Sequence, residues 1–339
     1  MGRKLLFILL FVVSVFATGC KDETQPARSE DLVANEEEND IEKEEAAKYI
    51  CNLTNLRIEE ESETKLRPIA VMIDNEYNAR PQSGLYSAEI VFEIPVEGNI
   101  TRYMGIYHHM PSEKIGPVRS ARPYFIDKAL EFGAIYVHCG GSPQALKDLE
   151  DLKVNAFNDL KGTPVFWRAK DRKAPHNLYT STKYLREISE SKKLENNKEI
   201  KYFQFNDEFM APEGAYIKKV TINYTRNYIV SYIYDEEERI YKRFINDVLM
   251  MDSELQKEAK ASNIIIERVG MKVIDSVGRL ELSNLGKNRG YFLTGGKLIE
   301  IQWEKSSRSS RTIYRDLQGR EIKLNPGVTW VQVVSGGTN

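Results

Sequence analysis

The chain has 339 residues, 41% apolar and 29% charged, and its 48 Lys and Arg nearly balance its 50 Asp and Glu for a formal charge of −2. That balance excludes a nucleic-acid protein, whose footprint would be a basic domain. The length suits two domains, each with its own core.

Arg3 and Lys4 precede an apolar run, Leu5 to Phe16, broken only by Ser14. The run is too short to span a bilayer of about 30 Å as a helix, and it has the length of the apolar part of an export signal. Ala17-Thr18-Gly19 then lead into Cys20. Small side chains let the backbone lie extended in a narrow peptidase groove, and the thiol can take a thioether-linked lipid. A-T-G-C at this boundary matches the bacterial lipobox. Residues 1–19 are therefore expected to be a lipoprotein signal peptide. Cys20 is then the mature, lipidated and palmitate-bearing end, anchored at the extracytoplasmic face of the cell membrane. The bland alternative is an ordinary signal peptide that happens to hold a cysteine. Loss of Arg3 and Lys4 with the signal takes the formal charge to −4.

Residues 20–65 read as an acidic, flexible tether, since the run Asn35 to Asp40 has no apolar face to bury; within it Glu42 to Cys51 fits a short helix. Besides Cys20 the chain has only Cys51 and Cys139, without C-x-x-C or zinc spacing. A disulfide between them is one reading, and two unpaired thiols are the expectation.

Residues 66–200 read as an α/β domain. Ile69 to Ile73 is a continuous apolar run ending in Asp74-Asn75, the signature of a buried strand with polar groups at its carboxyl end. Ala88 to Pro95 and Thr101 to His108 are further strands. A helix is expected over Arg122 to Phe132 with Pro123 at its first position. The strand Ala134 to His138 follows, then Cys139-Gly140-Gly141 and a helix capped by Ser142. Strands alternating with helices predict a mixed, partly parallel sheet. A charged helical stretch covers Lys183 to Lys201, and the joint falls near residues 200–215. Residues 215–336 read as a mainly antiparallel β domain: Lys218 to Thr225 and Tyr228 to Tyr234 flank the turn Arg226-Asn227. Tyr291 to Trp303, Thr312 to Tyr314, Glu321 to Leu324 and Thr329 to Val334 continue the pattern.

Three clusters can carry chemistry. In Ile115 to Pro123, a Gly-Pro turn sets Arg119, Ser120 and Arg122 ahead of a helix. There, free N–H groups and the helix dipole favour an anion, and guanidinium forks suit phosphate or carboxylate oxygens. The alternative is a structural ion-pair network. The loop His138 to Pro143 puts Gly140, Gly141 and Ser142 between a strand and a helix, without P-loop or dinucleotide spacing. In a parallel sheet both loops lie at the carboxyl edge, where Asp74, Asn75 and Arg102 join them. The third cluster is Arg168 to Asn177, with His176 and Asn177. His176 is a candidate acid/base or donor against a plain loop histidine, and Glu97 with Glu93 is a weaker carboxylate pair. No metal and no cofactor are expected. The four histidines lack H-x-x-x-H spacing, and His108 and His109, as neighbours on a strand, would face opposite sides.

R-P-I-A-V-M-I-D-N at Arg67 to Asn75, A-R-P-Q-S-G-L at Ala79 to Leu85, E-G-N-I-T-R at Glu97 to Arg102, I-G-P-V-R-S-A-R-P-Y at Ile115 to Tyr124 and A-P-H-N-L-Y at Ala174 to Tyr179 resemble the YerB-type lipoproteins of Gram-positive bacteria. G-K-L-I-E-I-Q-W at Gly296 to Trp303 and L-N-P-G-V-T-W-V-Q-V-V at Leu324 to Val334 extend the resemblance to the family's C-terminal domain. It implies a two-domain extracytoplasmic lipoprotein and brings no catalytic residues with it. The likeness to the LytR–CpsA–Psr phosphotransferases is one of fold only.

Two functions follow. One is a non-catalytic envelope module whose arginine-lined cleft binds an anionic wall component, with an envelope protein as a further partner. The other is a hydrolase or transferase acting on wall polymer, with His138, His176 or Glu97 in acid/base roles. Close clustering of Asp74, His138 and His176 in a pocket would favour the second.

Overall fold

The apolar run after Pro68 forms β1 (Ile69–Asp74), buried at every position. Strand side chains alternate between faces, and both faces here are covered. Ile69, Val71 and Ile73 join one core cluster, while Ala70 and Met72 join another. A position covered on both sides calls for this continuous pattern. The computed structural model describes residues 49–194 and 202–336. The export signal, Cys20 and the acidic run at 35–40 lie outside the described residues.

β2 (Ile90–Val96) and β3 (Ile100–Tyr107) pair antiparallel, and β3 pairs antiparallel with β1. On the other side of β1, β4 (Ile135–His138) and β5 (Ala156–Asn158) add in parallel. Between β3 and β4 runs α1 (Pro123–Glu131), and α2 (Pro143–Asp151) makes the crossover from β4 to β5. Both helices begin on proline, whose missing N–H costs nothing at a first position. Ser142 caps α2 by accepting from the Ala145 N–H at 3.2 Å. α3 (Thr182–Ser191) packs Leu185 into the core on the opposite face.

Further along come β6 (Ala215–Tyr216), β7 (Lys219–Thr225), β8 (Tyr228–Asp235), β9 (Ile240–Ile245), β10 (Val248–Leu249) and β11 (Lys260–Ala261). Strands β7-β8-β9-β10, with β11 on β9, form a small antiparallel sheet. The strands that follow in the large sheet are β12 (Asn263–Val269), β13 (Gly286–Thr294), β14 (Lys297–Lys305), β15 (Ile313–Asp316) and β16 (Thr329–Ser335). β16 lies between β12 and β2, parallel to both. One 11-stranded sheet therefore runs β6-β14-β13-β12-β16-β2-β3-β1-β4-β5, with β15 on β14. The expected class holds: a mixed α/β half is followed by a mainly antiparallel β half. The described residues, 49–194 and 202–336, belong to one compact unit.

One expected boundary needs correction. The folded body begins well before Arg67: Tyr49–Ile50 pairs as a strand with Arg57–Ile58 rather than ending a helix. Cys51 and Leu53 are fully buried and Ile58 nearly so. Three apolar side chains are too few to show a periodicity, yet they suffice to dock a hairpin. Within the joint near 200–215, Tyr202 and Phe203 pack into the core, with Tyr202 stacked on Phe132.

Candidate functional site

At the carboxyl end of β1, Asp74 and Asn75 are both fully buried. The segment after the Gly116-Pro117 turn runs alongside: Asp74 N–H donates to the Pro117 carbonyl at 2.8 Å and Arg119 N–H to the Met72 carbonyl at 2.9 Å. Gly116 has φ +148°, and a Cβ there would meet the Leu178 carbonyl oxygen at 2.7 Å, so only glycine fits the turn. On its far side this segment pairs with the glycine loop. Cys139 N–H donates to Arg119 O, Ala121 N–H to Gly140 O, and Ser142 N–H to Ala121 O. The two loops expected at the sheet's carboxyl edge are thus neighbours.

Asp74 is the hub of a polar group. Its Oδ2 lies 2.8 Å from His176 Nδ1 and 2.9 Å from Arg119 Nε, and Oδ1 accepts the Glu76 N–H at 3.1 Å. Pairing Nδ1 with a carboxylate sets the imidazole's tautomer and turns Nε2 outward, where it sits 3.5 Å from Glu76 Oε2. Arg119, Glu76 and His176 are partly exposed around the buried aspartate.

Asn75 turns inward. It donates to Thr101 Oγ1 at 2.7 Å and to the Tyr228 hydroxyl at 2.6 Å, and its Oδ1 accepts from Arg80 and Gln82. Arg102 is almost fully buried and donates to the Ser120 carbonyl at 2.8 Å. Burial, reinforced by the nearby charge of Arg122, lowers its pKa to about 10. Arg122 diverges from Arg119: its Nε donates to Glu97 Oε2 at 2.9 Å, its Nη2 bonds the other Glu97 oxygen, and Nη1 takes the Ala121 carbonyl. Burial would raise the Glu97 pKa, but Arg122 outweighs it and holds the carboxyl below the usual range.

His138 is not with the Asp74 group. It is buried, bonded through Nδ1 to the Gly140 carbonyl at 2.7 Å, and burial drops its pKa to about 4. Gly140 N–H donates to Asn158 Oδ1 at 3.0 Å, Gly141 bridges Ala121, and Ser142 Oγ caps α2. Asn177 braces its own loop through Arg168 and the Ala169 carbonyl. The residues brought together are therefore Asp74, Arg119 and His176 on one side and Arg122 and Ser142 on the other.

That second pair lines a cleft of about 550 Å³ at the amino ends of α1 and α2. Arg279 and Arg308 complete it from the C-terminal half. Arg308 bridges Asp127 at 2.5 Å and Asp148 at 2.7 Å, and Arg279 pairs with Asp275 at 2.9 Å. Sequence reasoning missed these two arginines, because nothing local ties residues near 280 and 308 to helices 150 residues earlier. It also gave no role to Glu76, Arg80 and Gln82, and it placed Arg172 in the third cluster without a partner. Arg172 donates to the Ala79 and Pro81 carbonyls and so latches the loop after β1. The A-R-P-Q-S-G-L stretch was the available signal.

The expected opposition of His108 and His109 is also corrected. β3 stops at Tyr107. Glu89 accepts the N–H groups of His108, His109 and Met110, at 2.9, 3.0 and 3.0 Å, and so bends the chain. In that bend both imidazoles reach Cys51. Cys51 and Cys139 are unpaired, as expected.

Residues 53–195 match the family model described as "Protein of unknown function (DUF3048) N-terminal domain", and residues 220–331 match its C-terminal domain model. A Bacillus subtilis (strain 168) protein described as "Putative lipoprotein YerB" is 35% identical over 310 residues, spanning 89% of this chain and 91% of the relative. The crystal structure of YerB from Bacillus subtilis superposes with a TM-score of 0.77 at 35% identity, over 85% of this chain and 97% of that one. Among the described residues no helix is long and apolar enough to cross a membrane. With both domain models matched in order and a relative aligned over nearly its whole length, this chain belongs to the DUF3048 family and is a homologue of YerB.

Proposed function

We propose that this protein is a lipid-anchored module of the bacterial cell envelope, held through Cys20 at the outer face of the membrane, that binds a phosphate-bearing envelope component in the cleft at the amino ends of α1 and α2. The lipobox at Ala17 to Cys20 and the lipoprotein description of the homologue support the anchor. The observation that carries the binding reading is convergence: Arg122, Arg279, Arg308 and Ser142 surround one space at the positive ends of two helices. The carboxylates beside the arginines hold the guanidiniums in place, and each guanidinium has five N–H donors to share. An incoming phosphate gains preformed partners and competes with those carboxylates for them.

Titration of the full-length protein in detergent with a glycerol-phosphate oligomer tests this. Each charge-assisted contact is worth about 1.5–3 kcal/mol, so Arg122→Ala or Arg279→Ala should weaken binding roughly tenfold to a hundredfold. Absence of binding by the parent protein, or unchanged affinity in both variants, would overturn the reading and leave these arginines to their carboxylates.

The second reading, a wall-polymer hydrolase or transferase, is favoured by one observation. His176, oriented by buried Asp74 at 2.8 Å, presents Nε2 outward as an acid/base group does. Glu97 is committed to Arg122 and His138 to a carbonyl, so His176 would have to carry it. Turnover of wall polymer that disappears in His176→Ala while oligomer binding persists would establish it over the first.

A further inference from the structure

A second group of chemistry-bearing side chains lies away from both the cleft and Asp74. Cys51 is fully buried and His108 nearly so, and the His109 side chain is 10% exposed. One ligand atom from each lies within 4.8 Å of the others. Cys51 Sγ is 3.6 Å from His108 Nδ1. Zinc bonds of about 2.3 Å to sulfur and about 2.0–2.1 Å to nitrogen, opened to the tetrahedral angle, separate the two donors by about 3.6 Å. An S–H···N hydrogen bond at that distance would be a weak one.

Three further observations point the same way. His109 Nδ1 is buried 3.0 Å from Glu89 Oε1, the kind of carboxylate partner that orients a metal-binding imidazole. Leu53 N–H donates to Cys51 Sγ at 3.4 Å, which suits a thiolate. Glu89 is itself buried, so a thiolate at Cys51 would share one interior site with a carboxylate, and a divalent cation would balance both charges.

We propose that Cys51, His108 and His109 form a binding site for a borderline-soft divalent cation such as Zn²⁺, with Glu89 holding the two histidines in place. One thiolate with two imidazoles suits zinc and disfavours calcium or magnesium, which take oxygen ligands. Three protein donors leave one position for a fourth ligand. The site joins the first hairpin of the body to the end of β3. Bound metal would therefore fasten the chain at the point where the segment leading from Cys20 meets the fold. It would also shield the Cys51 thiol from the oxidising conditions outside the membrane.

The test uses full-length protein stripped with chelator and titrated with Co²⁺ and Zn²⁺. One equivalent of Co²⁺ should give a near-ultraviolet thiolate-to-cobalt band with visible bands of tetrahedral strength, displaced by Zn²⁺. Zn²⁺ should raise the melting temperature by several degrees and slow alkylation of Cys51. Cys51→Ser should abolish the charge-transfer band and weaken Zn²⁺ binding at least a hundredfold, whereas Cys139→Ala should change neither. His109→Gln keeps the thiol and its packing and covers the case in which Cys51→Ser does not fold; it should weaken Zn²⁺ at least tenfold. No charge-transfer band in the wild-type protein would overturn the proposal in favour of a metal-free thiolate–imidazolium pair. A band that survives Cys51→Ser would overturn it as well.

Discussion

Replacing Arg243 by Met tests whether the two halves of the chain fold as one body. Arg243 lies on β9 of the small sheet and is fully buried. Its Nη2 meets Glu93 Oε2 of β2 at 2.6 Å and its Nη1 meets the Tyr232 hydroxyl at 2.6 Å. The guanidinium also sits 4.4 Å from the ring centroid of Trp330, on β16. Burial by itself would lower the Arg243 pKa, but Glu93 and the surrounding tyrosine hydroxyls outweigh it and keep it charged. Methionine retains much of the stem and removes the charge, leaving Glu93 with only the Thr101 and Tyr228 hydroxyls. Breaking a buried pair by taking one partner costs about 3–5 kcal/mol, far more than an exposed pair. At about 2.1 cal/mol/K of unfolding entropy per residue, that is roughly 5–10 °C for a body of this length. Urea unfolding followed by both far-ultraviolet circular dichroism and tryptophan emission should give one coincident transition, moved to lower urea in the variant. Adding Glu93→Gln should recover about 1–3 kcal/mol as coupling between the sites. A loss below about 1 kcal/mol, or two separated transitions in the wild-type protein, would refute the argument that this network binds the halves together.

Two other outcomes follow from single residues. His138 is held neutral, with its pKa lowered from 6.5 to about 4 by burial. The unfolded chain therefore takes up a proton near pH 6.5 that the folded protein refuses until about pH 4. The stability tied to this residue is complete above pH 6.5 and is lost as the pH falls toward 4, about 3 kcal/mol in all. His138→Asn should flatten that part of the stability–pH curve measured by urea unfolding, and equal slopes for the two proteins would contradict it. Cys20→Ser should abolish labelling by fatty acid and leave the protein in the medium or as uncleaved precursor; continued membrane partition with label would rule out the lipid anchor.

The sequence by itself determined the local pieces. A run apolar at every position, ended by Asp74-Asn75, is a two-sided strand with polar groups at its tip, because alternation is lost when both faces are buried. Pro123 and Ser142 placed the starts of α1 and α2 through their own backbone chemistry. The two loops at the sheet's carboxyl edge were legible for the same reason, since each sits between a strand and a helix.

Only the tertiary structure decided which groups meet. His176 stands 102 residues from Asp74, and no periodicity relates them. Arg119 and Arg122 look alike in sequence but face Asp74 and Glu97 respectively, a choice made by where each loop rests on the sheet. β16 slots between β12 and β2, so that one sheet continues across the two domains that length and pattern divided. Pairing partners are chosen by register and burial across the whole fold, whereas pattern reports only which face of an element is covered. The same limit hid Cys51. A cysteine in an acidic segment carries no local mark of burial, and His108 and His109 converge on it only because Glu89 ends the strand and bends the chain there.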